Sequence, residues 1–243
     1  MKWLVQNNIP GNPFKDIIGY FDSVDREITT FSFSMDDFYD NNYLNRFPKD
    51  VYQIFCSTKF LEKIDNTHLM PSTLVRFNNQ YQVLMEIYNT EYINHNALVK
   101  PLCYIDCDTN IFIKPIGDKT FTGEVFNPDT FGRFKKDIEH NLYLDVSLNT
   151  HVIMNNIVNI TREMRFRIIN NKISTYSTYK IGDYVEHIHF VPESVFLYVE
   201  SLLSLSHYKA YTLDIAEMGS DMYKVLQINC INSSGLYDID VKK

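Results

Sequence analysis

The sequence predicts an α+β protein, with a small α/β domain over residues 1–95 and a strand-rich region over residues 96–243. Three observations lead to this prediction. Short apolar runs alternate with helical patterns in the first domain, the composition shifts around residues 94–101, and extended patterns dominate after that shift. In addition, 45% of the 243 residues are hydrophobic, including 17 Tyr and 17 Phe, so a sizeable core can form without disulfide bonds.

The first domain contains two strand-and-helix pairs in its sequence pattern. Lys2–Gln6 is a short apolar run that is typical of a strand. Asn12 and Pro13 form a helix-start signal, and apolar residues at helical spacing follow over residues 14–21. Further along, the pattern predicts strands over residues 27–34 and 51–57, and helices over residues 60–64 and 81–92.

The second region contains mostly strands. Asn170 and Asn171 separate two apolar runs and predict the turn of a β-hairpin. The elements of this region are predicted from the spacing of apolar residues and from turn and helix-start signals such as Pro192. They are strands over residues 110–115, 142–147, 164–169, 172–179, 211–216 and 225–229, and helices over residues 129–140 and 192–205.

Composition and charge exclude several classes of protein. The net charge of −7 and the pI near 5.5 argue against a general nucleic-acid binder, which needs a basic surface. No apolar run approaches the length of a membrane span, and the start of the chain is too short for a signal peptide. We therefore expect a soluble cytoplasmic protein that does not bind membranes.

Several polar clusters have ordinary structural interpretations. The four cysteines are expected to be reduced thiols that pack as small hydrophobic side chains, because Cys103 and Cys107 lack a second pair for a zinc site. The acidic segment over residues 34–40 is expected to be a solvated loop. His187 and His189 are expected to lie on a polar strand or at the end of a loop.

The last two predicted strands carry polar side chains that call for an explanation. Gln227 and Asn229 fall at alternate positions and therefore share a face, and Asp214 on the neighbouring strand can reach it. One carboxylate and two side-chain amides supply the hard oxygen ligands that Mg²⁺ prefers. The alternative is a structural protein in which these three side chains satisfy buried polar groups.

A second group of residues has phosphate-binding chemistry. Lys114 ends a predicted strand, and Gly117 and Gly123 then bracket a loop that contains Lys119 and Thr120. Backbone amides of such a loop, together with a lysine, suit phosphate oxygens. The alternative is an ordinary β-turn with solvated lysines.

A third group lies on the first strand of the predicted hairpin. Glu163, Arg165 and Arg167 alternate and therefore share one face of that strand. The planar fork of an arginine suits phosphate or carboxylate groups. The alternative is a solvent-facing strand whose charges pair across the surface.

Taken in this order, the motifs resemble the nucleotide-binding core of the ATP-grasp superfamily. More closely, the chain resembles a small ATP-grasp family of bacteria and phages, formerly of unknown function and grouped with predicted amide-forming ligases. The resemblance implies an ATP-grasp fold with a small N-terminal α/β domain. It is carried by the stretches at residues 1–6, 112–115, 119–123, 163–165, 179, 227–229 and 232–237.

The resemblance also implies a role for each candidate residue. The catalytic residues would be Lys114, which contacts the ATP phosphates, Arg165, which binds the transferred phosphate or the substrate carboxylate, and Glu163, which orients Arg165. Lys119 and Thr120 would bind the phosphates, and Asp214, Gln227 and Asn229 would bind Mg²⁺. A hinge over residues 144–148 would line the adenine pocket, and it includes Asp145, Val146 and Ser147.

The activity that this resemblance implies is an ATP- and Mg²⁺-dependent carboxylate–amine ligase. Such an enzyme joins small-molecule or peptide carboxylates and amines through an acyl phosphate, and it releases ADP and phosphate. Gln227 departs from the family pattern, which usually has Glu, and the loss of one negative charge is expected to weaken metal affinity. A nucleotide-binding protein with degenerate activity and a kinase-like phosphotransferase are the alternatives.

Overall fold

The computed structural model describes residues 2–10, 14, 17–20, 27–49, 52–64, 67–69, 81–117, 121–140, 142, 146–219 and 221–235. Helices and strands both contribute extensively, which confirms the α+β prediction. The strands are β1 (Lys2–Gln6), β2 (Ile28–Phe31), β3 (Tyr52–Phe55), β4 (Leu98–Pro101), β5 (Ile111–Pro115), β6 (Glu124–Phe126), β7 (His151–Asn155), β8 (Arg162–Ile169), β9 (Lys172–Ile181), β10 (Tyr184–Ile188), β11 (Ala210–Glu217) and β12 (Tyr223–Asn229). The helices are α1 (Met35–Tyr39), α2 (Thr58–Ile64), α3 (Tyr81–Tyr88), α4 (Pro128–Glu139) and α5 (Glu193–Leu202).

Within the described residues, these strands form three sheets. Their strand orders are β2-β1-β3, β10-β9-β8-β11-β12 and β4-β7-β5-β6. The chain divides into two compact units: unit 1 contains residues 1–77, 164–213 and 229–243, and unit 2 contains residues 78–163 and 214–228. The division at residue 95 that the sequence suggests remains a prediction.

The first part of unit 1 is a parallel three-stranded sheet with its own core. β1 lies between β2 and β3, and Leu4 is opposite both Thr29 and Ile54. Leu4 and Ile54 are fully buried, as is Phe60 of α2. Because α2 buries its apolar side chains against this sheet, the pattern of short apolar strands and an amphipathic helix gives a stable layer.

The second part of unit 1 contains the β8–β9 hairpin and helix α5. Asn170 and Asn171 both have positive φ, which is the backbone conformation that a two-residue hairpin turn needs and that Asn tolerates well. The predicted hairpin is confirmed. Phe166 of β8 contacts Phe196 of α5 with ring centroids 5.6 Å apart, so one face of the hairpin packs on this helix.

Unit 2 contains the antiparallel sheet β4-β7-β5-β6, which helix α4 covers. Asn127 caps α4 by accepting a hydrogen bond from the Thr130 amide at 2.9 Å, and Pro128 occupies the first turn. Phe131 and Phe134 of α4 are buried in a cluster with Ile113 of β5. Apolar residues at helical spacing on α4 therefore form the core of this unit.

Several expectations from the sequence were wrong. The segment over residues 34–40 is not a loop, because Ser34 and Asp37 form a capping box that starts α1. Of the strand expected over residues 142–147, the described residues 142, 146 and 147 are not in a strand, and a turn in which the Thr150 amide donates to Ser147 leads into β7 instead. No strand bounds were predicted at the positions of β4, β6 or β7, whereas His187 lies on the exposed strand β10 and His189 directly follows it, as expected for a polar strand or the end of a loop.

The cysteines differ in their surroundings. All four are free thiols, as expected, but only Cys56 is fully buried, and burial raises the pKa of its thiol well above the usual value. Cys103 is exposed, so the expectation that all four pack as hydrophobic side chains was wrong. Among the helices that the structure describes, we find none that is long and apolar enough to cross a membrane.

Candidate functional site

A buried carboxylate and an amide form the centre of the candidate site in unit 2. Asp214 of β11 is fully buried, and Gln227 of β12 is half-buried. The Gln227 Nε2 donates a hydrogen bond to Asp214 Oδ2 at 2.8 Å. Because an ionised carboxylate only accepts, this bond orients the amide with its nitrogen toward Asp214 and leaves Oε1 directed elsewhere.

The oxygen atoms of this pair suit a divalent cation. A carboxylate and an amide oxygen are hard ligands of the type that Mg²⁺ prefers. Asn229, the third predicted ligand, is half-buried two positions further along β12 and belongs to unit 1. No cluster of three or more His, Cys, Asp or Glu side chains occurs among the described residues, so Asp214 supplies the charge of the predicted ligand set.

Lys114 lies in unit 2 on β5, in close contact with Gly123. β5 and β6 pair antiparallel, with Ile113 opposite Glu124, so Gly123 is positioned beside Lys114. A Cβ atom on Gly123 would lie 2.9 Å from Phe112 Cζ and 3.2 Å from Lys114 Cβ. Any larger residue at position 123 would therefore have to displace the Phe112 ring and the aliphatic part of the Lys114 side chain.

The structure describes only part of the rest of the predicted nucleotide site. Val146 is buried in the core cluster of unit 2, and Ser147 is exposed. Glu163 is half-buried near the start of β8. Lys119, Thr120 and Asp145 lie outside the described residues.

Arg165 lies in unit 1 and is buried. Its guanidinium group stacks over the Tyr179 ring, with Cζ 5.4 Å from the ring centroid, and Nη1 donates to the Gly235 carbonyl at 3.3 Å. The alternative of a solvent-facing strand was therefore wrong for this residue and for Arg167, which is only 6% exposed. A buried guanidinium is held in one orientation, which is what recognition of phosphate or carboxylate needs.

Residues 232–235 supply the backbone carbonyls that Arg165 and Arg167 contact, and hydrogen bonds connect this segment to the parallel sheet of unit 1. Asn232 is buried, its Nδ2 donates to the Ile54 carbonyl at 2.8 Å, and its own carbonyl accepts from the Cys56 amide at 3.0 Å. The Ser234 hydroxyl hydrogen-bonds to the Thr212 hydroxyl at 3.0 Å. The Asn-Ser-Ser motif therefore positions the backbone that the arginines contact.

Sequence reasoning did not identify Arg167 as a site residue. Its Nη2 donates to the Ser234 carbonyl at 3.1 Å, whereas its buried Nε has no hydrogen-bond partner among the described residues. Burial, followed by the neighbouring Arg165 charge, lowers the pKa of Arg167 to about 9. The alternation of Arg165 and Arg167 in the sequence is the signal that places both on one face.

The candidate residues are distributed over both units. The described contacts bring Asp214 and Gln227 together in unit 2. The other predicted residues of unit 2 are Lys114, Val146, Ser147 and Glu163, and those of unit 1 are Arg165 and Asn229.

Known structures show the same fold. A D-alanine–D-alanine ligase from Bacillus anthracis in complex with ATP superposes with a TM-score of 0.60 at 11% identity, over 94% of this chain and 86% of that one. D-cycloserine synthetase gives 0.57 at 13% identity, over 97% and 93% of the two chains. An L-amino acid ligase from Bacillus licheniformis gives 0.57 at 11% identity, over 94% and 68%.

Family membership follows from the sequence comparison. Curated proteins give no significant match to the chain. The family model described as "ATP-grasp domain, R2K clade family 3" matches residues 56–243, which is more than half of the chain. Together with the fold, this match confirms the predicted resemblance: the chain belongs to family 3 of the R2K clade of ATP-grasp domains, within the superfamily of ATP-grasp ligases.

Proposed function

We propose that the protein is an ATP- and Mg²⁺-dependent carboxylate–amine ligase that activates its acid substrate as an acyl phosphate and releases ADP and phosphate. The observation that carries this proposal is the buried Asp214 carboxylate bonded to Gln227 in a chain of the ATP-grasp family. A fully buried carboxylate beside a side-chain amide oxygen offers the hard ligands of a divalent-cation site. Because such a ligase consumes ATP, we also propose that it acts in the cytoplasm.

The proposed mechanism rests on positioning and on neutralising charge. Asp214, Gln227 and Asn229 would hold Mg²⁺, which when bound neutralises the charge that develops on the phosphate oxygens. Lys114, whose side chain packs on Gly123, would contact the phosphates of ATP. Arg165 would bind the transferred phosphoryl group or the acid, and its stacking on a tyrosine ring keeps the guanidinium oriented during the transfer.

The remaining roles in the nucleotide site are proposals from the family pattern. Lys119 and Thr120 would close over the phosphates, and the segment with Asp145, Val146 and Ser147 would line the adenine pocket. Glu163 would orient the arginine that follows it on β8.

Substrates of the ligase are proposed by analogy with the structural neighbours. Two of these are named as ligases of amino acids, D-alanine and L-amino acids. We therefore propose that both the acid and the amine are amino acids or peptides.

Nucleotide binding and turnover test the proposal separately. Isothermal titration calorimetry with ATP and Mg²⁺ should show binding that Lys114→Met weakens at least tenfold, since one charge-assisted contact is worth about 1.5–3 kcal/mol. Lys135→Met is the matched control, because Lys135 lies on α4 and donates to the Ile105 carbonyl. An ADP-release screen of amino-acid pairs should give turnover only when acid and amine are both present. Absence of ATP binding in the wild-type protein would overturn the proposal.

A nucleotide-binding protein without ligase activity is the second candidate. The observation that favours it is Gln227 itself, because an amide at this position gives the metal site one negative charge less. If ATP binds but no pair of acid and amine releases ADP, this candidate is supported. Transfer of phosphate to a single substrate, without an amide product, would instead identify a kinase-like enzyme.

A further inference from the structure

Arg167 of β8 is a buried cation. The residue is 6% exposed, and Nη2 of its guanidinium donates to a neutral backbone carbonyl, that of Ser234. The structure gives it no acidic partner among the residues it describes, and its Nε is also without a hydrogen bond there. Burying a charge in this way costs several kcal/mol, so the arrangement requires an explanation.

Two hydroxyl groups on the neighbouring strand are also buried without a hydrogen-bond partner among the described residues. Thr175 and Ser177 of β9 are 4% and 0% exposed, and neither side-chain oxygen has a hydrogen-bond partner among the described residues. Buried hydroxyls without partners are uncommon in folded proteins. Both groups can donate to an anion.

Ring contacts show that these hydroxyls lie on the same face of the sheet as the arginines. Tyr179 of β9 lies under Arg165, so the alternate residues Thr175, Ser177 and Tyr179 are on the arginine side. On the opposite side, Tyr176 contacts Phe166 with ring centroids 6.3 Å apart. β8 and β9 are adjacent strands, so the guanidinium of Arg167 and the two hydroxyls face one region of unit 1.

We propose that Arg167, Thr175 and Ser177 form a second anion subsite beside Arg165, and that the acid substrate is a dicarboxylate whose second carboxylate binds there. This proposal rests on the proposed ligase function, in which Arg165 binds the reacting end of the acid. Residues two positions apart on a strand are separated by about 7 Å, which fits the two ends of a short dicarboxylic acid. The bound carboxylate would supply Arg167 with an anion and both hydroxyls with an acceptor, neither of which the described residues provide.

A binding experiment without ATP tests the subsite directly. Glutarate and butyrate are the probes, since they share a short carbon chain but differ by one carboxylate. By calorimetry, the wild-type protein should bind glutarate at least tenfold more tightly than butyrate. Arg167→Met should remove this preference, and Thr175→Val and Ser177→Ala should each weaken glutarate binding about threefold to tenfold, because each removes one hydrogen bond.

Thermal unfolding without ligand separates a binding role from a structural one. If Arg167 has no anion in the free protein, Arg167→Met should unfold within a few degrees of the wild type or above it, because an uncompensated charge is lost. Asp238 and Asp240 lie outside the described residues, so the Asp238→Asn and Asp240→Asn variants test for a partner within the chain. The proposal would be overturned if Arg167→Met and either asparagine variant, measured separately, both showed a large decrease in unfolding temperature.

The remaining outcomes distinguish this inference from the proposed function. If Arg167→Met weakens ATP or inorganic phosphate binding but not glutarate binding, the subsite binds phosphate and the dicarboxylate proposal is wrong. Equal binding of glutarate and butyrate by the wild type would also overturn it. If glutarate binds as expected but no ADP is released with any amine, the subsite stands and the ligase proposal fails.

Discussion

Replacing Gln227 with Glu would place two carboxylates where the structure has a carboxylate and an amide. The Gln227 Nε2 and Asp214 Oδ2 atoms are 2.8 Å apart. Two negative charges at that separation repel each other by about 6 kcal/mol at an effective dielectric constant of 20. Protonating one ordinary carboxyl group at pH 7 costs only about 4 kcal/mol, so the pair would take up a proton instead.

The expected loss of stability follows from this comparison. Without metal, Gln227→Glu should lower the free energy of unfolding by about 2–4 kcal/mol at pH 7, since the shared proton also restores a hydrogen bond. For a chain of this length, that loss is roughly 5–15 °C in unfolding temperature. The folded pair has a raised pKa, so the penalty grows as the pH rises above about 4 and should fall to about 1 kcal/mol at pH 5.

Thermal unfolding in EDTA at pH 5 and pH 7, and again with Mg²⁺, measures this effect. Saturating Mg²⁺ should stabilise Gln227→Glu more than the wild type, because the second carboxylate increases metal affinity. The double variant Asp214→Asn with Gln227→Glu exchanges the two groups and should recover most of the stability. Gln227→Met is the control without added charge, and its loss of stability should change less between pH 5 and pH 7 than that of Gln227→Glu.

Two results would refute this reasoning. If Gln227→Glu unfolds at the wild-type temperature at pH 7 in EDTA, the two side chains are not held close together in solution. If its loss of stability is the same at pH 5 and pH 7, repulsion between carboxylates is not the cause.

Three further predictions concern other parts of the chain. Gly123→Ala should weaken ATP binding about tenfold in calorimetry, because the added Cβ displaces Lys114. Gly132→Ala on α4 is the control, since its added Cβ meets nothing within 4 Å. This control should leave ATP binding unchanged and stabilise the fold by about 1 kcal/mol. Asn232→Ala should lower the free energy of unfolding in urea by about 1–3 kcal/mol, because it leaves a buried carbonyl without a donor. Burial lowers the pKa of Arg167 to about 9 in the folded chain, well below its value in the unfolded chain, so the unfolded state keeps its proton to higher pH. The wild type should therefore gain stability relative to Arg167→Met by about 1.4 kcal/mol per pH unit above pH 9 in denaturant titrations, and parallel profiles would contradict this.

Local chemistry explains which elements were predictable from the sequence. Asn170 and Asn171 adopt the left-handed backbone that an Asn-Asn hairpin turn needs, so the hairpin follows from two residues alone. The bounds of β10 were not predicted, for the opposite reason: the strand is exposed throughout, and Tyr184 and Val185 show no alternation of buried and exposed positions. Periodicity reports burial on one face, and it gives no signal where neither face is buried.

The arginine face shows where sequence reasoning stops. Alternation places Arg165 and Arg167 on one face, but whether that face is buried depends on the segment that covers it. This segment lies 67 residues further along the chain, where the Ser234 carbonyl accepts from Arg167. Its position is fixed in turn by Asn232, which bonds to Ile54, 178 residues away. Contacts of such separation leave no periodic trace in the sequence, so the burial of the arginines was not predictable.

Gln227 has a different interpretation in the structure than in the sequence. In the sequence it is a departure that removes a charge from a metal site. In the structure its amide donates to Asp214, which a glutamate at this position would do only after taking up a proton. A carboxylate–amide pair is therefore stable without metal, whereas a pair of carboxylates requires either a cation or a proton. If the pair holds Mg²⁺ as proposed, Gln227→Glu should therefore raise metal affinity and at the same time destabilise the metal-free fold, because it replaces this hydrogen bond with a repulsion.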